Sequence, residues 1–299
     1  MGGTLCAIAR PMRLAVTIAA FLFFFLTQGR AELPSTLAEF PFQLRDGLIW
    51  IEVSSSQSLK PLHFMLDSGA EVSVINLETA QRLRLGMGRS VLVRGVKSVG
   101  RGYWPEHLSA SIGAVHLADN YLAVDLGGLS KVCHVEIDGL LGADFFRKHL
   151  VQIDFDKRKI RLLKSVVLNG QEESAPLAVC SGGIRVKIQI NGGKKQWVRL
   201  DTGCASPLQW VSPHDSSTSC ARQTAMSMTE VSMPVIDTSV QIGETKFSPV
   251  SAGLHINPIF PGEAGLLGVP LLSRFSTVTV DTSGSRLLLQ KNHPDLASY

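Results

Sequence analysis

Apolar residues in this chain recur mostly with period two, in short runs bounded by Gly, Pro, Asn and Ser, which is the pattern of β-strands joined by tight turns. Leu48–Val53, Leu62–Leu66, Val91–Val93 and Leu122–Val124 are predicted strands in the first half. In the second half Gly183–Ile190 and Trp197–Leu200 alternate in the same way, and Asn191-Gly192-Gly193 between them predicts a hairpin turn with Lys194-Lys195 at its tip. Helix is predicted only in short pieces: Leu77–Leu83 behind Asn76 as N-cap, Ala143–His149, and Val269–Phe275. Each half closes on a further hairpin, Val151–Asp156 with Ile160–Leu163 and Thr277–Asp281 with Arg286–Leu289. One series of elements therefore runs twice, at a period far longer than a solenoid repeat, and this implies two copies of one domain. The polar, turn-rich stretch Asn169–Pro176 reads as the linker, which places the lobes at 32–169 and 170–299. The expectation is an all-β chain of two homologous lobes.

Composition agrees with that division. A chain of 299 residues, 45% hydrophobic and 18% charged, exceeds what one core usually serves. The first 31 residues stand apart: Arg10 and Arg13 precede the apolar run Leu14–Leu26, and Gly29-Arg30-Ala31 follows with small residues of the kind a signal peptidase reads. This run of thirteen residues falls short of the ~20 that span a bilayer as a helix. A secretory signal cleaved after Ala31 is expected, giving a secreted or periplasmic chain that begins at Glu32; an uncleaved N-terminal anchor is the alternative. Removing the segment takes away three arginines and no acid, so the net charge of +4 becomes 26 basic against 25 acidic residues. The remaining chain has no lysine-arginine run and no basic helix face, so neither nucleic acid nor a stable membrane contact is expected as a partner. Cys133, Cys180, Cys204 and Cys220 then remain, an even number with three possible pairings and no Cys-x-x-Cys spacing, which argues against zinc. Cys204 and Cys220 either close a short disulfide loop or stay thiols.

Candidate chemistry lies in a second repeated signal. Asp67-Ser68-Gly69 follows the strand Leu62–Leu66, and Asp201-Thr202-Gly203 follows Trp197–Leu200, 134 positions further on. Alone, each is an ordinary turn former. Each, however, is answered later in its own half by Gly-Leu-Leu-Gly, at 139–142 and at 265–268. The eight histidines show no ligand spacing, and no Gly-x-Ser-x-Gly elbow is present.

With both motif pairs in place, the chain resembles the aspartic proteases of the retropepsin and pepsin type, in a duplicated, bacterial-style form. Asp67 to Ile75 matches the family pattern closely, whereas Asp201-Thr202-Gly203 is followed by Cys204, Ala205, Ser206 and Pro207, a looser match. The resemblance implies an endopeptidase acting on a peptide or protein substrate, with Asp67 and Asp201 as catalytic dyad and neither cofactor nor metal. Two carboxylates brought together share one proton, so one serves as base and the other as acid. Ser68, Gly69, Thr202 and Gly203 are expected to orient the carboxylates and floor the substrate site. The segment Arg94–Trp104, with Gly95, Gly100 and Gly102, falls where the family's flap hairpin lies, so Tyr103 and Trp104 become candidate substrate contacts. The second half's counterpart, Met226–Pro234, lacks glycine and is expected to be stiffer. Asp138, Asp144, Asp154, Asp156 and Asp281 are expected to be solvent-facing or capping groups. A monomer is expected, and two alternatives stay open: an inactive peptide-binding protein of the same fold, and a protease built from two first lobes in a homodimer.

Overall fold

In the computed structural model, residues 36–95, 98–168, 170–212, 221–225 and 231–291 are described. The signal-peptide expectation for residues 1–31 and Cys220 lie outside them. Among the described residues no helix is long and apolar enough to cross a membrane.

The architecture follows from strands that bury both faces. In Leu48–Ser55 the side chains of Ile49, Ile51 and Val53 enter one apolar cluster, while Leu48 and Trp50 enter a second on the opposite face. Each such fully buried aliphatic side chain contributes roughly 1.5–3 kcal/mol. This strand pairs antiparallel with Leu62–Leu66, Trp50 opposite Met65 and Val53 opposite Leu62. Gly139–Leu141 then lies parallel to Leu62–Leu66 and antiparallel to Val74–Asn76. The apolar Gly-Leu-Leu segment is thus wedged between the strand that enters the Asp67 turn and the strand that leaves it. The second half repeats the device, with Gly265–Gly268 parallel to Lys195–Asp201 and antiparallel to Leu208–Val211.

The strands form a 10-stranded and a 13-stranded sheet. The terminal hairpins of the two halves join in the larger sheet through Leu150–Asp154 and Phe275–Asp281, with Val151 opposite Val280 and Ile153 opposite Val278. Thr36–Pro41 adds an edge strand against Lys159–Leu163. Sequence periodicity predicted both hairpins but not their fusion, because pairing between distant strands leaves no local signal.

Three local expectations are corrected. Asn169–Pro176 is not a solvated linker: Glu172–Cys180 is a strand paired with Arg286–Lys291. The polar residue that made it look like a loop is consumed, since the Glu173 carboxylate accepts from Thr245 Oγ1, Thr245 N and Glu244 N. Asn76 precedes the helix Leu77–Arg82 but does not cap it. Its amide instead bonds Ile137 O and Leu126 N, tying neighbouring segments together. The helix Gly127–Cys133 has no counterpart in the sequence reading, because it opens on two glycines without a capping side chain.

The acids expected to face solvent include three that are buried. Asp138 accepts from His63 N, Thr79 Oγ1 and Arg82. Asp154 and Asp281 organise the two terminal hairpin turns alike. Asp154 accepts from Lys157 N and Arg161, and Asp281 from Gly284 N and Arg286.

Candidate active site

The Gly-Leu-Leu strand positions Asp67 directly, since Asp67 N donates to Leu141 O at 2.8 Å. Asp67 Oδ1 accepts from Gly69 N at 3.0 Å and from Ala70 N at 3.1 Å. Asp201 is held in the same manner with one donor fewer: its Oδ1 accepts from Gly203 N at 3.0 Å, while Cys204 N donates to the Asp201 backbone carbonyl.

The two turns meet. Ser68 N donates to Thr202 Oγ1 at 2.9 Å, Ser68 Oγ donates to Leu200 O at 2.7 Å, and Thr202 N donates to Ser68 Oγ at 3.0 Å. Ser68 and Thr202 are fully buried. Each hydroxyl therefore bonds backbone of the opposite half.

Both glycines are required by close approach. A Cβ on Gly69 would lie 2.5 Å from Asp201 Oδ1, and one on Gly203 would lie 2.6 Å from Asp67 Oδ1. Each carboxyl group thus rests over the other turn's glycine. The sequence places Asp67 and Asp201 134 positions apart; the fold joins their turns, Ser68 to Thr202, within one chain.

Proximity and burial decide their ionisation. Burial raises Asp67 above the ordinary carboxyl value, opposed by the backbone donors of Ala70 and Gly69. Asp201 is raised well above that value, first by burial and then by the charge of Asp67, opposed by the backbone donor of Gly203 and the charge of Arg199. Two carboxyls so placed resist double ionisation, so one proton is shared and the pair titrates as a unit.

This has a consequence for stability. A carboxyl whose folded pKa is raised contributes stability that is fully present below its unfolded value of 3.8 and is lost as pH rises through the folded value. Asp201→Asn imitates the neutral form and keeps the acceptor for Gly203 N. The variant is expected to melt above the wild type at pH 7, with the gain vanishing below about pH 4. Calorimetry at the two pH values reads this directly, and a variant less stable at both would contradict it.

Behind the second turn, Cys204 is a buried thiol. Its Sγ lies 3.5 Å from Ser206 O and accepts from Gln209 Nε2 at 3.5 Å, and Gln209 Oε1 meets His255 Nε2 at 2.9 Å. The divergent segment after Asp201 is thus packed, and Cys204 is a buried free thiol, while Cys220, its candidate partner, lies outside the described residues. Burial pushes the Cys204 thiol far up, whereas Cys180 is exposed. Brief alkylation of the native protein is expected to label Cys180 and spare Cys204 until denaturant is added. Peptide mass mapping reads the outcome, and rapid native labelling of Cys204 would contradict this packing.

The expected flap is a hairpin of Met87–Gly95 and Ser98–Pro105, its tip at 96–97 lying outside the described residues. Tyr103 and Trp104 are at its foot, where Tyr103 pairs with Ser90 and Ala123. Both are partly buried against the two apolar clusters, so their first role is packing. Gly102 serves packing as well as freedom, because a Cβ there would fall 2.7 Å from Val93. In the second half Ala221–Ala225 pairs with Val231–Ile242, and the intervening 226–230 lies outside the described residues.

Sequence reasoning missed Arg199 and Glu263. Alternation over Trp197–Leu200 puts Arg199 at a polar position, yet it is buried, with Nε 2.8 Å from Glu263 Oε2 and Nη1 donating to Gly69 O at 2.9 Å. Alignment of the two halves contains the signal, since both positions are apolar in the first copy: Met65 and Ile137.

No family model matches this sequence, and no curated protein matches it. Among solved structures the chain is similar to an aspartic proteinase from Irpex lacteus, at 12% identity and a TM-score of 0.54, over 87% of this chain and 98% of that one. At that identity the likeness establishes a pepsin-like, two-lobed all-β fold.

Proposed function

We propose that this chain is an aspartic endopeptidase in which Asp67 and Asp201 form one dyad. The observation that carries the reading is the pairing of two carboxyls, Asp201 buried and Asp67 half-buried, each resting over the other turn's glycine. A water held between them loses a proton to the Asp67 anion and attacks the scissile carbonyl, while the neutral Asp201 donates its proton to the carbonyl oxygen. The gem-diol intermediate then collapses as Asp67 gives the proton to the departing amine and a diol hydroxyl returns a proton to Asp201, which leaves a carboxylic acid, an amine and the dyad in its starting state. The step balances with water as the only co-reactant.

Alternative readings fare less well on the same geometry. An inactive binding protein was favoured by the divergent Cys204–Pro207 segment, yet Cys204 and Ser206 are buried beneath the turn. A homodimer of first lobes becomes unnecessary when both carboxyls come from one chain, so the active unit proposed is the monomer. Export through the N-terminal segment, and with it a secreted or periplasmic, bacterial-style enzyme, belongs to the same proposal.

The test is cleavage of denatured casein in metal-chelating buffer as a function of pH. A bell-shaped profile centred on the acid side of neutrality is expected, its limbs reporting the macroscopic constants of the pair. Absence of hydrolysis at every pH between 2 and 8 would overturn the reading.

A further inference from the structure

A buried charge cluster stands beside the dyad on one side only. In the alignment of the two halves, Arg199 corresponds to Met65, each two residues before its Asp, and Glu263 corresponds to Ile137, each two residues before its Gly-Leu-Leu-Gly. Met65 and Ile137 are buried and apolar, so the scaffold itself needs no charge at either place. In the second half, Arg199 forms a bidentate pair with Glu263, Nε to Oε2 at 2.8 Å and Nη2 to Oε1 at 3.0 Å. Arg185 Nε adds a contact to Glu263 Oε1 at 2.8 Å, and its Nη2 donates to Pro261 O. The Phe260 ring covers the Arg199 guanidinium at 3.5 Å, and a Cβ on Gly183 would fall 2.7 Å from its Cζ.

Buried ion pairs are poor devices for stability, and apolar replacement of a whole pair is often neutral. The first half displays that apolar solution. What the charged version adds is direction: the remaining Arg199 donor, Nη1, crosses to Gly69 O in the Asp67 turn. The cluster of two arginines and one glutamate carries one net positive charge toward a dyad that carries one negative charge.

We propose that Arg199 is a positioning residue that fixes the Asp67 turn through Gly69 O and holds the dyad in its singly ionised, asymmetric state. The proposal rests on the protease reading of the site. Arg199 draws both carboxyls down against the upward push of burial. The other ionisable groups facing the pair are accounted for: Glu263 is neutralised within the cluster, Arg185 lies at its more exposed rim, and the Cys204 thiol stays protonated.

The variant Arg199→Met/Glu263→Ile installs the first half's own pair. Its dyad is titrated by carboxyl carbon NMR, and the pH–rate profile is measured beside it. Both macroscopic constants should rise by about one unit or more, the acid limb should move to higher pH, and kcat should fall while KM changes little. Glu263→Gln raises the cluster to two net positive charges and should move the constants the opposite way, which gives an independent reading if the double variant does not fold. Titration curves unmoved in either folded variant would overturn the proposal, even where activity falls, because a merely structural cluster predicts that result. The NMR titration needs no hydrolysis, so a wild type that titrates as described but cleaves nothing would defeat the protease reading and leave this one standing.

Discussion

Asp67→Asn and Asp201→Asn are each expected to lower kcat/KM for peptide hydrolysis by about 10²–10⁴-fold or more while the chain stays folded. Asn preserves the volume of Asp and its acceptor for Gly69 N or Gly203 N, so the turns keep their shape. What it removes is the ionisable oxygen. Without Asp67 no base takes the proton of water, and without Asp201 no acid meets the carbonyl oxygen. The losses should not add in the double variant, because the two groups act as one unit. Steady-state kinetics on purified variants, with circular dichroism as the control for folding, reads all three. Wild-type rates for Asp201→Asn with Asp67→Asn inactive would return the site to a pair of first halves.

Ser68→Ala is expected to produce the largest loss of stability among single hydroxyl deletions. Ser68 Oγ serves two backbone groups of the other half, donating to Leu200 O and accepting from Thr202 N. Both become unpaired at a fully buried position, and each orphaned group costs about 1–3 kcal/mol. A total of roughly 2–6 kcal/mol corresponds to a fall in Tm of the order of 10 °C for a chain this long. The damage also reaches the chemistry, because the same bonds set the Asp67 turn against the Asp201 turn. Ser68→Thr keeps the hydroxyl and should lose much less. Thermal melts of the two variants decide it, and equal melting temperatures for Ser68→Ala and wild type would show that the contact between turns is dispensable.

The chain's own repetition made much of this legible. Leu62–Leu66 and Gly183–Ile190 emerge with the bounds that alternation assigns, and the Asn191-Gly192-Gly193 turn lies where expected, because these features depend on residues close in sequence. The candidate pair of aspartates was legible for a different reason, since each Asp-Ser/Thr-Gly turn is answered by a Gly-Leu-Leu-Gly later in its own half. Features that depend on distant partners were not. The stretch Asn169–Pro176 reads as a linker, yet from Glu172 onward it is strand held through Glu173, and the packing of Tyr103 and Trp104 at the hairpin foot has no local signal either. Arg199 was hidden by the habit of reading a charged residue in a strand as exposed. Comparing the halves position by position, and not motif by motif, would have exposed it.

The central claim is that one chain supplies one complete dyad, and active-site titration with pepstatin tests it most directly. Increments of inhibitor are added to a known concentration of chain while cleavage of denatured casein at acid pH is followed. Activity should fall linearly to zero at one inhibitor per chain. An end point at one inhibitor per two chains would contradict the single-chain dyad, and full activity in excess inhibitor would contradict the aspartic mechanism.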